Sequence, residues 1–139
     1  MNEQYNQHGS FSWCELMTNN AQEAKAFYEQ LFGWETEDII LPDMAYSLIK
    51  KDGKEIGGGI VEMPDRPAMW SAYVTVNDVD ETVQLAKQLG AAVLLPPQDI
   101  PNVGRISVIQ DPQGASINLI AYLNRCCESQ GTDQVSGVR

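Results

Sequence analysis

Apolar and polar positions along this 139-residue chain run through one order of elements twice. The stretch FSWCELMT (11–18) alternates as a strand does. Asn20 then opens a helix, with Glu23 at capping-box spacing. Ala21, Ala24, Phe27, Tyr28, Leu31 and Phe32 follow at helical intervals, and Gly33 supplies the stop. Strand-like pieces come next at Trp34 to Ile40, Ala45 to Lys50 and Ile56 to Met63, separated by Pro42-Asp43 and Asp52-Gly53 turns. The second round starts with WSAYVTVN (70–77). Asp78 with Glu81 repeats the cap, Val79, Val83, Ala86 and Leu89 form the helical stripe, and Gly90 ends it. Ala91 to Leu95, Arg105 to Ile109 and ASINLIAY (115–122) read as strands, the last entered by the Asp111-Pro112-Gln113-Gly114 turn.

The predicted order is therefore β-α-β-β-β twice: an α+β domain over 11–123 with modules at about 11–63 and 70–123. The polar ends, 1–10 and 124–139, lack periodicity and read as a flexible arm and tail.

Alternation also assigns faces, since successive strand side chains point to opposite sides. Cys14 and Leu16, with Ala72, Val74 and Val76, are expected to face the helices, as are Ile106, Val108, Ile117, Leu119 and Ala121. The opposite face then carries Trp13, Glu15, Met17, Ser71, Tyr73, Thr75, Arg105, Ser107, Ser116, Asn118 and Ile120. Aromatic rings beside a few polar groups suit a small-molecule pocket. The alternative is a sheet contact between subunits with internal polar pairing. Gly57-Gly58-Gly59 reads as a strand bulge or a place of close backbone approach.

Charge narrows the partners. Nineteen acidic against nine basic residues give a net charge of −10. A phosphate backbone or an anionic membrane surface would need a basic stripe that is absent, so neither nucleic acid nor membrane is expected. No apolar run approaches the ~18–20 residues of a membrane span, and the polar start does not read as a secretory leader. Three cysteines are too few for a disulfide scaffold, so a cytoplasmic setting is expected. Cys14 reads as a buried small hydrophobe, and Cys126-Cys127 as tail thiols without metal partners.

The run WCELMTNNAQEAKAFYEQLFGW (13–34) and the later DPQGASINLI (111–120) resemble the vicinal oxygen chelate superfamily, which includes glyoxalases, extradiol dioxygenases and bleomycin-resistance proteins. The resemblance spans about residues 10–123 and is strongest toward short glyoxalase-like members. It implies paired βαβββ modules curled into a cup-shaped half-barrel, helices outside, and a homodimer. In the superfamily's enzymes a divalent metal sits in the cup on ligands from the first and last strands of each module, and polarises substrate oxygens. Transferred residue by residue, those positions fall on Trp13, Ser71, Asn118 and a place within Gly57 to Gly59. Indole and glycine donate no ligand, and hydroxyl with amide make at most a weak oxygen site. His8, the single histidine, lies in the arm.

The resulting expectation is metal-independent binding of a small organic ligand by Trp13, Glu15, Ser71, Tyr73, Arg105 and Asn118, with no cofactor. One alternative is a glyoxalase-like lyase or isomerase that uses an atypical divalent-metal site or Glu15 as general base. Another is a non-catalytic interaction subunit. Glu15 has three readings here: base, ligand anchor, or structural partner of Arg105.

Overall fold

The structure, a computed structural model, describes residues 6–41 and 44–123. Cys126, Cys127, the tail, the first part of the arm and the Pro42-Asp43 turn lie outside the described residues. The chain divides into two compact units: Trp13–Ala72, and Tyr73 onward together with the residues up to Ser12.

The first unit is built from β1 (Phe11–Thr18), α1 (Ala21–Phe32), β2 (Glu35–Leu41), β3 (Met44–Lys51) and β4 (Lys54–Glu62). Strand order is β2-β3-β4-β1, with β4 parallel to β1 and the other pairs antiparallel. The local signals do what their chemistry requires. Asn20 Oδ1 accepts the Glu23 N–H at 3.0 Å, satisfying one orphan donor of the helix start. Gly33 closes α1 in the left-handed region at φ 74°. Asp52 and Gly53, both at positive φ, make the two-residue hairpin of β3 and β4. The glycine run contains a bulge: Ile49 faces Gly58 but Lys50 faces Glu55, with Gly57 at φ 89°.

Leu16, Ile49 and Ile60 form the buried core of this unit, with Ala21, Ala24, Tyr28 and Trp34 packed against it. One expectation fails here. The Cys14 residue is exposed, because its neighbour across the ladder is Gly58, which has no side chain to cover it. On α1, Phe27, Leu31 and Phe32 stay about half exposed.

The second unit holds β5 (Met69–Thr75, whose first residues belong to the first unit), α2 (Val79–Gln88), β6 (Ala92–Ile100), β7 (Gly104–Gln110) and β8 (Ser116–Tyr122). Its order is β5-β8-β7-β6, with β5 parallel to β8 and the other pairs antiparallel. Asp78 caps α2 through the Glu81 N–H at 3.0 Å. Asp111 Oδ1 accepts from Gln113 N–H and Ala115 N–H, which locks the turn into β8. Val76, Val79, Val83 and Leu119 form the core, backed by Val93, Ile109 and Ala121. β6 runs five residues past its predicted end, through Pro96 and Pro97. It lies last in the strand order, and its ladder shifts register around the prolines, where a missing N–H is tolerated. The arm is joined to this unit: Gly9 N–H donates to the Thr75 carbonyl and Thr75 N–H to the Ser10 carbonyl, each at 2.8 Å.

The face assignment holds for β1, β5 and β8 and is reversed for β7. Ile109 packs with the α2 core, and Arg105 pairs with Ala121 of that same side, so Arg105, Ser107 and Ile109 face α2. Ile106 and Val108 lie opposite Ile120 and Asn118 on the other side. Alternation gives the period of a strand but not its phase when both faces carry apolar residues.

Candidate functional site

In the first unit, β1 puts Trp13 and Glu15 on the same face because they are two residues apart. The ladder sets Glu15 beside Gly59, and Gly59 beside Leu48. Two pairs further along, Tyr46 lies beside Val61. The Tyr46 ring leans over Gly59, where any Cβ would overlap the phenol. That bare backbone lets the hydroxyl reach β1. Trp13 Nε1–H donates to Tyr46 Oη at 2.7 Å, and Tyr46 O–H donates to Glu15 Oε1 at 2.9 Å.

The polarity of this chain is fixed by its members. An indole nitrogen only donates and a carboxylate only accepts, so the phenol must do both. The bond into Glu15 is charge-assisted and is the stronger of the two. All three side chains are half-buried. The arrangement holds one carboxylate in a defined orientation on an aromatic surface.

In the second unit, Tyr73 and Asn118 are ladder neighbours on β5 and β8, on the face away from α2. Asn118 is buried. Ser71 lies on the part of β5 assigned to the first unit and is half-buried. Arg105 is not brought to Tyr73 and Asn118. Its Nε and Nη2 donate to the Asp80 carboxylate at 2.8 and 3.1 Å, and its Nη1 donates to Asp99 at 3.0 Å. These bonds raise the guanidinium pKa above its already high ordinary value. Arg105 in turn holds the Asp80 carboxyl below the usual aspartate range. Arg105 therefore clamps β7 to α2 and the end of β6 on the helix side of its sheet. This corrects its placement among the ligand-facing residues.

Tyr46 went unread in the sequence. Its signal was an aromatic residue on a strand next to a glycine run, a combination in which the ring covers the gap the glycine leaves.

The donor chemistry fits a divalent metal poorly. At the Trp13 position the N–H points at Tyr46 and offers no lone pair. Gly59 is covered by the Tyr46 ring. His8 Nδ1 already accepts the Asn77 N–H at 2.9 Å. Among the described residues no three or more His, Cys, Asp or Glu side chains cluster as a metal site would require.

Comparison with known proteins adds three findings. Residues 10–119 match the family described as Glyoxalase/Bleomycin resistance protein/Dioxygenase superfamily. Among curated proteins, "Putative glyoxylase CFP32" of Mycobacterium bovis is 37% identical over 117 residues, covering 83% of this chain and 45% of the relative. "Anthracycline biosynthesis protein DauV" of a Streptomyces species is 27% identical over 124 residues, covering 78% of this chain and again 45% of the relative. The chain thus spans about half the length of the curated relatives it matches. Among solved structures, methylmalonyl-CoA epimerase from Mycobacterium tuberculosis superposes with a TM-score of 0.64 at 15% identity, covering 92% of this chain and 97% of the other. That likeness is one of fold. No helix among the described residues is long and apolar enough to cross a membrane.

Proposed function

Because this chain belongs to the Glyoxalase/Bleomycin resistance protein/Dioxygenase superfamily, we propose that it binds a small organic molecule without a metal ion, on the face that carries Trp13, Tyr46 and Glu15. The observation that carries this reading is the Trp13–Tyr46–Glu15 hydrogen-bond chain laid over Gly59. The resemblance puts a first-strand ligand position of module one on Trp13, and there the chain presents an indole beside an oriented carboxylate. A planar ligand gains stacking area from the ring, and a donor group on that ligand gains a charge-assisted bond from Glu15. On this reading Arg105, held by Asp80 and Asp99, supplies no contact.

The test is a thermal-shift screen of planar aromatics and small metabolites with a chelator present, followed by calorimetric titration of the hits against wild type and Glu15→Gln. Binding that survives chelation, and that weakens about tenfold or more in Glu15→Gln (a charged hydrogen bond is worth about 1.5–3 kcal/mol), supports the proposal. Stoichiometric metal after dialysis, or hits that vanish with chelator, overturns it. If no compound shifts the melting temperature, the interaction-subunit reading gains.

A lyase or isomerase with Glu15 as base is the second reading, favoured by the Tyr46 bond that fixes the carboxylate. It expects solvent deuterium to enter a substrate carbon acid at a rate that Glu15→Gln removes. Methylmalonyl-CoA, tried with and without nickel, zinc and manganese, is the first substrate to test. No exchange with it would set this reading aside.

A further inference from the structure

A hollow of about 270 Å³ opens at one end of the face that carries Trp13, Tyr46 and Glu15, within the first unit. Met44 and Val61 form one side of it and Met63 to Arg66 the other. The ladder sets its place. Met44 is the next same-face residue beyond Tyr46 on β3, and Val61, the ladder partner of Tyr46, is the next beyond Gly59 on β4. The far wall is a turn anchored to β1. Met63 N–H donates to the Thr18 carbonyl at 2.7 Å, and Arg66 N–H closes the turn on the Met63 carbonyl at 3.3 Å, with Pro64 presetting its first corner. Charge around the hollow is uneven. Glu62 commits its carboxylate to the start of α1, where Oε1 accepts the Ala21 N–H at 2.8 Å. Lys25 and Lys50 of the same unit are each held by a carboxylate, Asp38 and Glu37. Among the described residues no carboxylate pairs with the Arg66 guanidinium, which stands exposed at the rim.

We infer that this hollow receives the far end of the ligand held on the Trp13–Tyr46–Glu15 face, and that this end is an oxyanion, carboxylate or phosphate, carried on an apolar chain. The inference rests on the reading of that face as a ligand site. The volume falls just under the ~300–1,000 Å³ of whole small-molecule sites, so the hollow suits one portion of a molecule. Its wall is made of thioethers and a valine. Methionine is unbranched and polarisable, so it adapts to alkyl chains of varied shape. At the rim, the guanidinium offers paired N–H donors that match a carboxylate or phosphate side on. Asp65, its neighbour in the turn, opposes an anion, so attraction falls to Arg66. The molecule as a whole, at a net charge of −10, repels anions. A preference for an acid over its neutral analogue therefore has to arise locally. Register sets the length of the ligand. Glu15 lies beside Gly59, and Gly59 to Met63 spans roughly 13 Å at about 3.3 Å per residue. A planar donor head on Trp13 and Glu15 needs a chain of about that length to bring its oxyanion to Arg66.

The test is calorimetric titration of the full chain with 4-aminophenyl alkanoic acids of one to eight methylenes. Each is matched by its neutral primary amide and by the corresponding phosphate monoester. The aryl amine addresses Glu15 and the oxyanion addresses Arg66. The shortest acid is expected to bind no better than its amide. In the longest members one or both oxyanions are expected to exceed the amide by about tenfold or more, as a charge-assisted hydrogen bond implies. Arg66→Gln removes that advantage and leaves the affinity of the shortest member unchanged. Asp65→Asn increases the advantage. Lys54→Gln, an exposed charge of the same unit, leaves it intact. The inference is overturned if oxyanion and amide bind alike at every length, or if the advantage is the same at every length. It is also overturned if the advantage survives Arg66→Gln or is lost in Lys54→Gln. The two readings fail separately. Binding of the short heads that Glu15→Gln weakens, with no oxyanion advantage in the long members, keeps the face as a ligand site and removes the hollow from it. If neither short nor long members bind, both fall.

Discussion

Gly59→Ala tests whether bare backbone at this position is what permits the Tyr46 bridge. The backbone at Gly59 lies outside the left-handed region, so alanine is compatible with the strand itself. Its Cβ would overlap the Tyr46 phenol, and the ring must swing away. Two bonds then break: the neutral one from Trp13, worth about 0.5–1.5 kcal/mol, and the charge-assisted one into Glu15, worth about 1.5–3 kcal/mol. Water can replace part of both, because the three side chains are half-buried. Removing a glycine from a strand returns about 0.5–1 kcal/mol. The net expectation is a loss of about 1–3 kcal/mol, read as a lower urea midpoint at unchanged m-value. The decisive measurement is the double-mutant cycle with Tyr46→Ala. Once the ring is gone the added methyl has room, so Gly59→Ala becomes neutral or stabilising and the coupling exceeds about 1 kcal/mol. Equal costs in both backgrounds would refute the reasoning, since the methyl would then act on something other than Tyr46.

Other outcomes follow from the same structure. Asn20→Ala deletes the acceptor of the Glu23 N–H and is expected to cost about 1 kcal/mol in chemical denaturation. Tyr122→Phe removes the hydroxyl bonded to buried Ser12 at 2.8 Å; it is expected to cost about 1–3 kcal/mol, and Ser12→Ala in the same background should recover part of that loss. The folded-state pKa values of Asp38 and Asp80 lie below the ordinary 3.8, Asp38 chiefly through the Ser47 hydroxyl and then Lys25, and Asp80 chiefly through Arg105. Both carboxylates therefore stabilise the fold above the unfolded-state pKa, and that contribution disappears as pH falls through the lowered folded value. Asp80→Asn is expected to flatten this acid limb, measured as urea midpoints between pH 2.5 and 6; an unchanged limb would assign it to other groups.

Much of the fold was legible in short windows of sequence. Asn20 with Glu23, Gly33, Asp78 with Glu81, Asp52-Gly53 and Asp111 to Gly114 each act within about four residues, so their chemistry reads directly as caps and turns. The repeat of those signals set the number and order of elements. The candidate site was legible only in part. Trp13 and Glu15 share a face because they are two apart on one strand, whereas Tyr46 joins them across two ladders, by a register no local pattern encodes.

Tertiary structure alone decided the rest. Asp80 and Asp99, one from α2 and one from β6, claim Arg105 and turn β7 over from its expected phase. An edge position lets β6 run on through two prolines. On α1, Tyr28 packs against the core of the first unit while Phe27 and Phe32 stay about half exposed. Sequence determined what each segment can form, since dihedral preference and periodicity are local. Structure determined which side chains meet, since strand register and competition among distant charges are settled only when the segments pack.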